Sequence, residues 1–182
     1  MKKNRLIQLS LFSLLFAAFT LPVSLTAQNA DDNRLIEDSK AAQAEFIKAD
    51  GLMQNLFDKA YGYVIFPNVG KGAVGVGGAA GNGIVFEQGK PVGHAKMKQV
   101  SVGFQFGGQA YREVIFFDNK AALDRFKEGK FEFAGQASAV AATAGASTNV
   151  KYRDGVMVFT QEKGGLMYEA SVGGQKFGYA SF

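Results

Sequence analysis

The side chains able to do chemistry are few and scattered. His94 is the only histidine and cysteine is absent, so a metal site of imidazoles and thiolates cannot be assembled, and His94 reads best as a surface or hydrogen-bonded strand residue. A hydrolytic triad would need His94 to meet Ser39, Ser101, Ser138, Ser147, Ser171 or Ser181, yet none of these lies in a G-x-S-x-G context. Acid pairs such as Asp31 with Asp32 and Asp124 with Glu128 fall at expected helix caps and faces, where solvation is their usual role. Gly70, Gly72 and Gly75 satisfy G-x-G-x-x-G after an apparent strand. A dinucleotide site would then need a helix and a ribose-binding acid, but the chain continues GGAAGNGIVF, with no acid between Gln88 and Arg112. Gly89 and Lys90 are followed by Pro91 where a phosphate loop requires Ser or Thr. Nothing in these residues argues for an enzyme, and the expectation is a non-enzyme with no cofactor and no metal.

The elements that must position any site change character along the chain. Leu35, Ala41, Ala42, Ala44, Phe46 and Ile47 recur at helical spacing behind the N-cap candidates Asp31 and Asp32, and predict a helix to about Ala49. Asp50 and Gly51 interrupt it, and Leu52, Met53, Leu56, Phe57 and Ala60 predict a second, short amphipathic helix. From Tyr61 the period becomes two. The run YGYVIFPNVGKGAVGVGGAAGNGIVF passes from β-branched and aromatic residues into glycine-dense sequence, which suits strands with bulges or close backbone approach.

Val100, Val102, Phe104 and Phe106 alternate with small or polar residues as in a one-faced strand. Further strands are predicted at Gly83–Glu87, Pro91–Gln99, Glu113–Phe117, Val156–Gln161, Leu166–Val172 and Lys176–Tyr179. Short connections favour antiparallel hairpins. One helix interrupts them, with Asp118 as N-cap, Ala122, Leu123 and Phe126 as apolar face, and Gly129 at the C-cap. The uncharged stretch Phe133–Val150 is alanine-rich but has no stripe, and reads as strand and loop. The fold class expected is α+β: N-terminal amphipathic helices and one mid-chain helix packed on a bent, glycine-rich antiparallel sheet, with closure toward a barrel as one outcome.

Residues 1–27 have the form of a secretory signal peptide. Lys2, Lys3 and Arg5 precede an apolar stretch from Leu6 to Leu21, Pro22 closes it, and Ala27 offers a small residue for cleavage. This segment holds three of the 20 basic residues and none of the 16 acids, so the formal charge of +4 falls to +1 for residues 28–182. A chain so near neutrality, without a run of basic residues, gives no case for nucleic acid as a partner. About 155 residues suit one domain. The location expected is periplasmic or secreted, with peripheral membrane association. Without cysteine the chain is not a lipoprotein.

KAYGYVIFPNVGKG, GVGGAAGNGIVF, VSVGFQFGGQAYREVIFF, DNKAALDRFKEG and GLMYEASVGGQKF, in this order, resemble the SYLF lipid-binding domain family across Asp31 to Phe182. Eukaryotic members are linked to phosphoinositide membranes and actin patches; bacterial members are exported. The resemblance implies an anionic phospholipid or membrane surface as partner, while actin is absent from the compartment to which a bacterial signal peptide leads. It places membrane contact on the amphipathic segment Asp31–Ala60, hence on Lys40, Lys48 and Lys59, and on Lys71 at the strand turn Pro67–Gly72. Lys40, Lys48 and Lys59 are interspersed with Asp38, Glu45, Asp50 and Asp58, so the local field is nearly balanced, and a basic residue near an anionic surface is worth about 1 kcal/mol.

The function expected is an exported, non-enzymatic lipid- or membrane-surface-binding protein of the bacterial cell envelope. Two alternatives are a small outer-membrane β-barrel or structural envelope protein, and a carboxylate hydrolase with two acids converging in a glycine-lined cleft.

Overall fold

The N-terminal apolar stripes form helix α1 (Val23–Ala49) and helix α2 (Met53–Lys59) in a computed structural model, which describes residues 23–74, 76–101, 110–133, 138–163 and 169–182. Helix α1 begins ahead of Asp31 and Asp32, which therefore lie inside it and do not cap it. No glycine or proline intervenes after Pro22, so nothing in the sequence stops the helix propagating back to Val23. Residues 23–34 belong to one unit, Met1–Arg34, and the remainder of the chain to a second, Leu35–Phe182, which holds the sheet and core.

The break between the helices is built on Asp50. Its buried carboxylate accepts the Leu52 N–H at 3.1 Å and the Ser147 N–H at 2.9 Å.

Among the described residues eight strands follow: β1 (Gly62–Val74), β2 (Val76–Glu87), β3 (Lys90–Ser101), β4 (Ala110–Phe117), β5 (Ser138–Ala141), β6 (Val156–Glu162), β7 (Glu169–Ser171) and β8 (Gln175–Ser181). Helix α3 (Lys120–Lys127) lies between β4 and β5. The sheet order is β7-β5-β6-β4-β1-β2-β3-β8.

The architecture is α+β, as expected, with one correction to the strand pairing and one open alternative decided. The sheet is mixed, because β5 pairs parallel with β6; residues 142–155 between them, including a 3-10 helix at Ala146–Asn149, supply the long connection a parallel pair requires. Among the described residues the sheet is also open, with β7 and β8 as its edges, so it does not close into a barrel. The predicted strand through Phe104 and Phe106 lies outside the described residues beyond Ser101, as do Gly75 of the glycine motif and 166–168 of the strand predicted at Leu166–Val172.

Period-two alternation sends side chains to two cores. Val64, Phe66, Val85, Ala95, Met97, Ile115, Phe117 and Phe177 share one face with Leu123 and Phe126 of α3. Tyr63, Ile65, Ile84, Phe86, Val114, Phe116 and Phe159 share the other with Ala42 and Phe46 of α1 and Met53 and Phe57 of α2.

A bulge in β1 reorganises the middle of this sheet. Ile65 pairs with Ile84, but the next pair to β2 is Asn68 with Asn82; toward β4, Phe66 pairs with Glu113 and Val69 with Tyr111. The extra residue reverses parity, so that Phe66 and Val69 both enter the α3-side core. Pro67, which has no N–H to give a ladder, sits at this irregularity. Opposite it, a Cβ on Gly83 would run into the Ile65 carbonyl and the Phe66 ring. Close approach is thus the reason for glycine at this position.

Helix α3 is capped by Asn119 and not by Asp118. The Asn119 Oδ1 accepts the Ala122 N–H at 2.9 Å, the reach an N-cap side chain needs, while Asp118 accepts from the Asn119 amide. Its C-terminus carries Gly129 at φ +67°, with Gly129 N–H bonded to Phe126 O at 3.0 Å and Lys130 N–H to Arg125 O at 3.1 Å.

Candidate functional site

The lysines singled out by the resemblance are not gathered by the fold. Lys40 and Lys48 are exposed on α1, away from the buried positions Ser39, Ala42 and Phe46, and two turns apart. Lys59 is exposed in the last turn of α2. Lys71 lies within β1 opposite Ala79, and not at a turn, because β1 continues to Val74 before the chain reverses. About 30 Å of extended strand separates Lys71 from the end of α2.

A different set of basic residues is brought together. Lys96 and Lys98 on β3 point away from the core that takes Ala95 and Met97, and Lys98 stands directly opposite Lys176 of β8. All three are exposed. Directly opposed like charges are unfavourable in a sheet, and Glu132, bridged to Lys176, is the acid that the edge sets beside them. Period-two sequence reading puts Lys96 and Lys98 on one face of a strand. Only pairing of β3 with β8 adds Lys176.

The lysine face continues into a polar row across the same side of the sheet. Lys96 pairs with Asn82, Asn82 with Asn68 across the β1 bulge, and Arg112 with Gln161. This row lies on the side that carries α1 and α2, beyond the end of their apolar contacts. A cleft of about 540 Å³ opens there, bounded on one side by α1 and on the other by the row.

Two cations and two acids line it: Arg112 and Lys163 from the sheet, Asp38 and Glu45 from α1. Arg112 donates to Gln161 Oε1 at 3.1 Å, and Lys163 reaches Asn68 Oδ1 at 3.4 Å. No ion pair ties Arg112, Lys163, Asp38 or Glu45 among the described residues. Burial lowers the Lys163 pKa, the Arg112 charge lowers it further, and Asp38 partly offsets both. Leu35, Ala41, Ala42 and Pro67 supply an apolar wall. Sequence reasoning missed this site. The available signal was Arg112, the one cation in the strand AYREVIFF, whose only other charged residue is Glu113.

A second polar group lies in the α3-side core. Gln175 Nε2 donates to Glu113 Oε2 at 2.9 Å, and Gln99 Nε2 donates to the Gly173 carbonyl at 3.0 Å. Burial, and then the Glu113 charge, push the Tyr111 hydroxyl far above the usual phenol range. Glu113 and Gln175 are fully buried, so this group ties strands together and is not a surface site. His94 packs edge-on against Phe182 at 4.8 Å between ring centroids, in keeping with a strand residue. Among the described residues no group of three His, Asp or Glu is placed to hold a metal, and no helix is long and apolar enough to cross a membrane.

Residues 98–179 match the family model described as Las17-binding protein actin regulator, Ysc84. Beta cell expansion factor A of Aeromonas veronii is 32% identical over 124 residues, which cover 67% of this chain and 47% of that protein. The chain thus spans about half the length of this curated relative.

Proposed function

This chain belongs to the SYLF family, whose general role is binding of a lipid- or actin-patch-related kind, and on that premise we propose that it is an exported, non-enzymatic protein that associates with anionic membrane surfaces of the cell envelope. The observation that carries the reading is the exposed triplet Lys96, Lys98 and Lys176 on the sheet face formed by β3 and β8. Opposing Lys98 to Lys176 costs stability in isolation, and an anionic surface converts that repulsion into attraction. The signal-peptide form of residues 1–27 supports export, and export separates the chain from actin.

The two alternatives gain less. A transmembrane barrel must pair every edge, whereas β7 and β8 terminate the described sheet. Two acids do line one cleft, but Asp38 and Glu45 are seven residues apart on one helix, about 10 Å along its axis. They also share the cleft with two cations, an arrangement suited to binding charge.

Cosedimentation of the mature chain with vesicles containing phosphatidylglycerol tests the reading. At about 1 kcal/mol per lysine, neutralising all three (Lys96→Gln, Lys98→Gln, Lys176→Gln) weakens binding by roughly a hundredfold. The same change at Lys40, Lys48, Lys59 and Lys71 serves as the comparison set and measures the contribution assigned to them by family resemblance. The proposal fails if the triple variant binds as the parent does, or if the parent binds no anionic vesicle.

A further inference from the structure

The cleft beneath α1 presents both signs of charge to one volume. Arg112 and Lys163 approach from the sheet, Asp38 and Glu45 from the helix, and no ion pair joins them among the described residues. A simple anion would meet the carboxylates, and a simple cation would meet the guanidinium and ammonium groups. A ligand carrying both charges satisfies all four. The amides of Asn68 and Asn82 add donors and acceptors between the charged walls. The volume, about 540 Å³, lies within the ordinary range for small-molecule sites and leaves room beside a charged head for the apolar wall at Leu35 and Pro67.

The position of the cleft points the same way. The β1 bulge puts Asn68 beside Asn82 on the face of Arg112, and bulges recur where a sheet re-aims side chains for function. Lys96 stands directly opposite Asn82, so the exposed lysine face runs without interruption into the mouth of the cleft.

We infer that this cleft binds a small zwitterion, with Arg112 and Lys163 holding its anionic oxyacid group and Asp38 and Glu45 its ammonium group. An ethanolamine phosphate head, free in solution or at the end of a phospholipid, has this chemistry. In its lipid-bound form the inference extends the membrane-surface reading; in its free form it stands without it.

Calorimetric titration of the mature chain with O-phosphoethanolamine decides the matter, with inorganic phosphate and ethanolamine as separate controls. Saturable binding that exceeds both controls is expected, weakened about tenfold or more by Arg112→Gln and by Asp38→Asn. Asp38 is exposed, so its variant tests the site even if the Arg112 variant folds poorly; thermal melting reports on the fold of each. Binding unchanged by Asp38→Asn, equal binding of inorganic phosphate, or no binding of O-phosphoethanolamine overturns the inference.

A second arm uses vesicles of phosphatidylethanolamine against phosphatidylcholine, whose quaternary head cannot donate hydrogen bonds. Preference for the former, lost in Asp38→Asn, assigns the site to lipid heads; equal binding of both, with the free compound still bound, assigns it to a soluble zwitterion. Neutralising Lys98 and Lys176, neither of which lines the cleft or faces Asn82, leaves titration with the free compound unchanged, which separates failure of the membrane reading from failure of this one.

Discussion

Asp50 ties the break between α1 and α2 to a segment that sequence order keeps far away. Its carboxylate takes the N–H of Leu52 at the start of the second helical segment and the N–H of Ser147, 97 positions away. Burial pushes its pKa up, but hydrogen bonds from Ser147 and the nearby backbone outweigh burial and hold the group below its ordinary value of 3.8. The ionised form is therefore favoured more in the folded chain than in the unfolded one. Its contribution is complete above the unfolded value and is lost as pH falls from about 4 through the lower folded value. Asp50→Asn should cost about 1–2 kcal/mol in urea unfolding at pH 7. The gap between variant and parent should narrow below pH of about 4; a gap that stays constant across that range would remove the carboxylate's charge from the explanation.

At the scale of elements, the β1–β2 hairpin and its bulge do most of the positioning. Sequence reading identified glycine-dense strands and close approach, and Gly83 answers to that description because the Ile65 carbonyl and Phe66 ring occupy the space a Cβ would need. Gly83→Val should destabilise by about 1–3 kcal/mol and broaden the resonances of Asn68 and Asn82. Gly70→Ala, where nothing lies within 4 Å of the added atom, should stay within about 0.5 kcal/mol of the parent. Equal losses at both positions would mean that strand propensity, and not the approach of β1, sets the glycine requirement. Helix α3 was legible to within one residue, since Gly129 meets the C-terminal expectation and Asn119 takes the N-cap role expected of its neighbour Asp118. Two adjacent residues of similar capping chemistry cannot be ranked without backbone geometry.

Across the whole Leu35–Phe182 unit, the sheet is curled enough for distant strands to touch. Three strands separate β8 from β4 in the sheet order, yet Gln175 reaches Glu113 at 2.9 Å. This contact is in keeping with the bend expected from glycine content, although β7 and β8 do not pair with each other among the described residues. Gln175→Leu should cost about 1.5–3 kcal/mol in chemical unfolding, because it removes a donor from a buried carboxylate. Adding Glu113→Leu should recover part of that loss, since apolar replacement of both partners removes the stranded charge. A double variant no more stable than the single would show that Glu113 gains its support from the rest of the cluster.

Sequence alone determined the helix and strand periods, the glycine-dense hairpin and the α+β class, because each follows from local propensity and from which residues share a face. Order of segments also carried the family resemblance. The tertiary structure decided which charges meet. Lys98 and Lys176 are 78 positions apart and become neighbours through β3–β8 pairing; Arg112 reaches the cleft opposite Asp38 because the sheet packs beneath α1. Local periods specify a side chain's face but not its cross-strand partner. Partner choice depends on strand order and on a bulge that reverses parity between Phe66 and Val69. For that reason the residues named by resemblance, Lys40, Lys48 and Lys59 on the helices and Lys71 on β1, stay apart along the chain, while strand pairing sets Lys98 opposite Lys176.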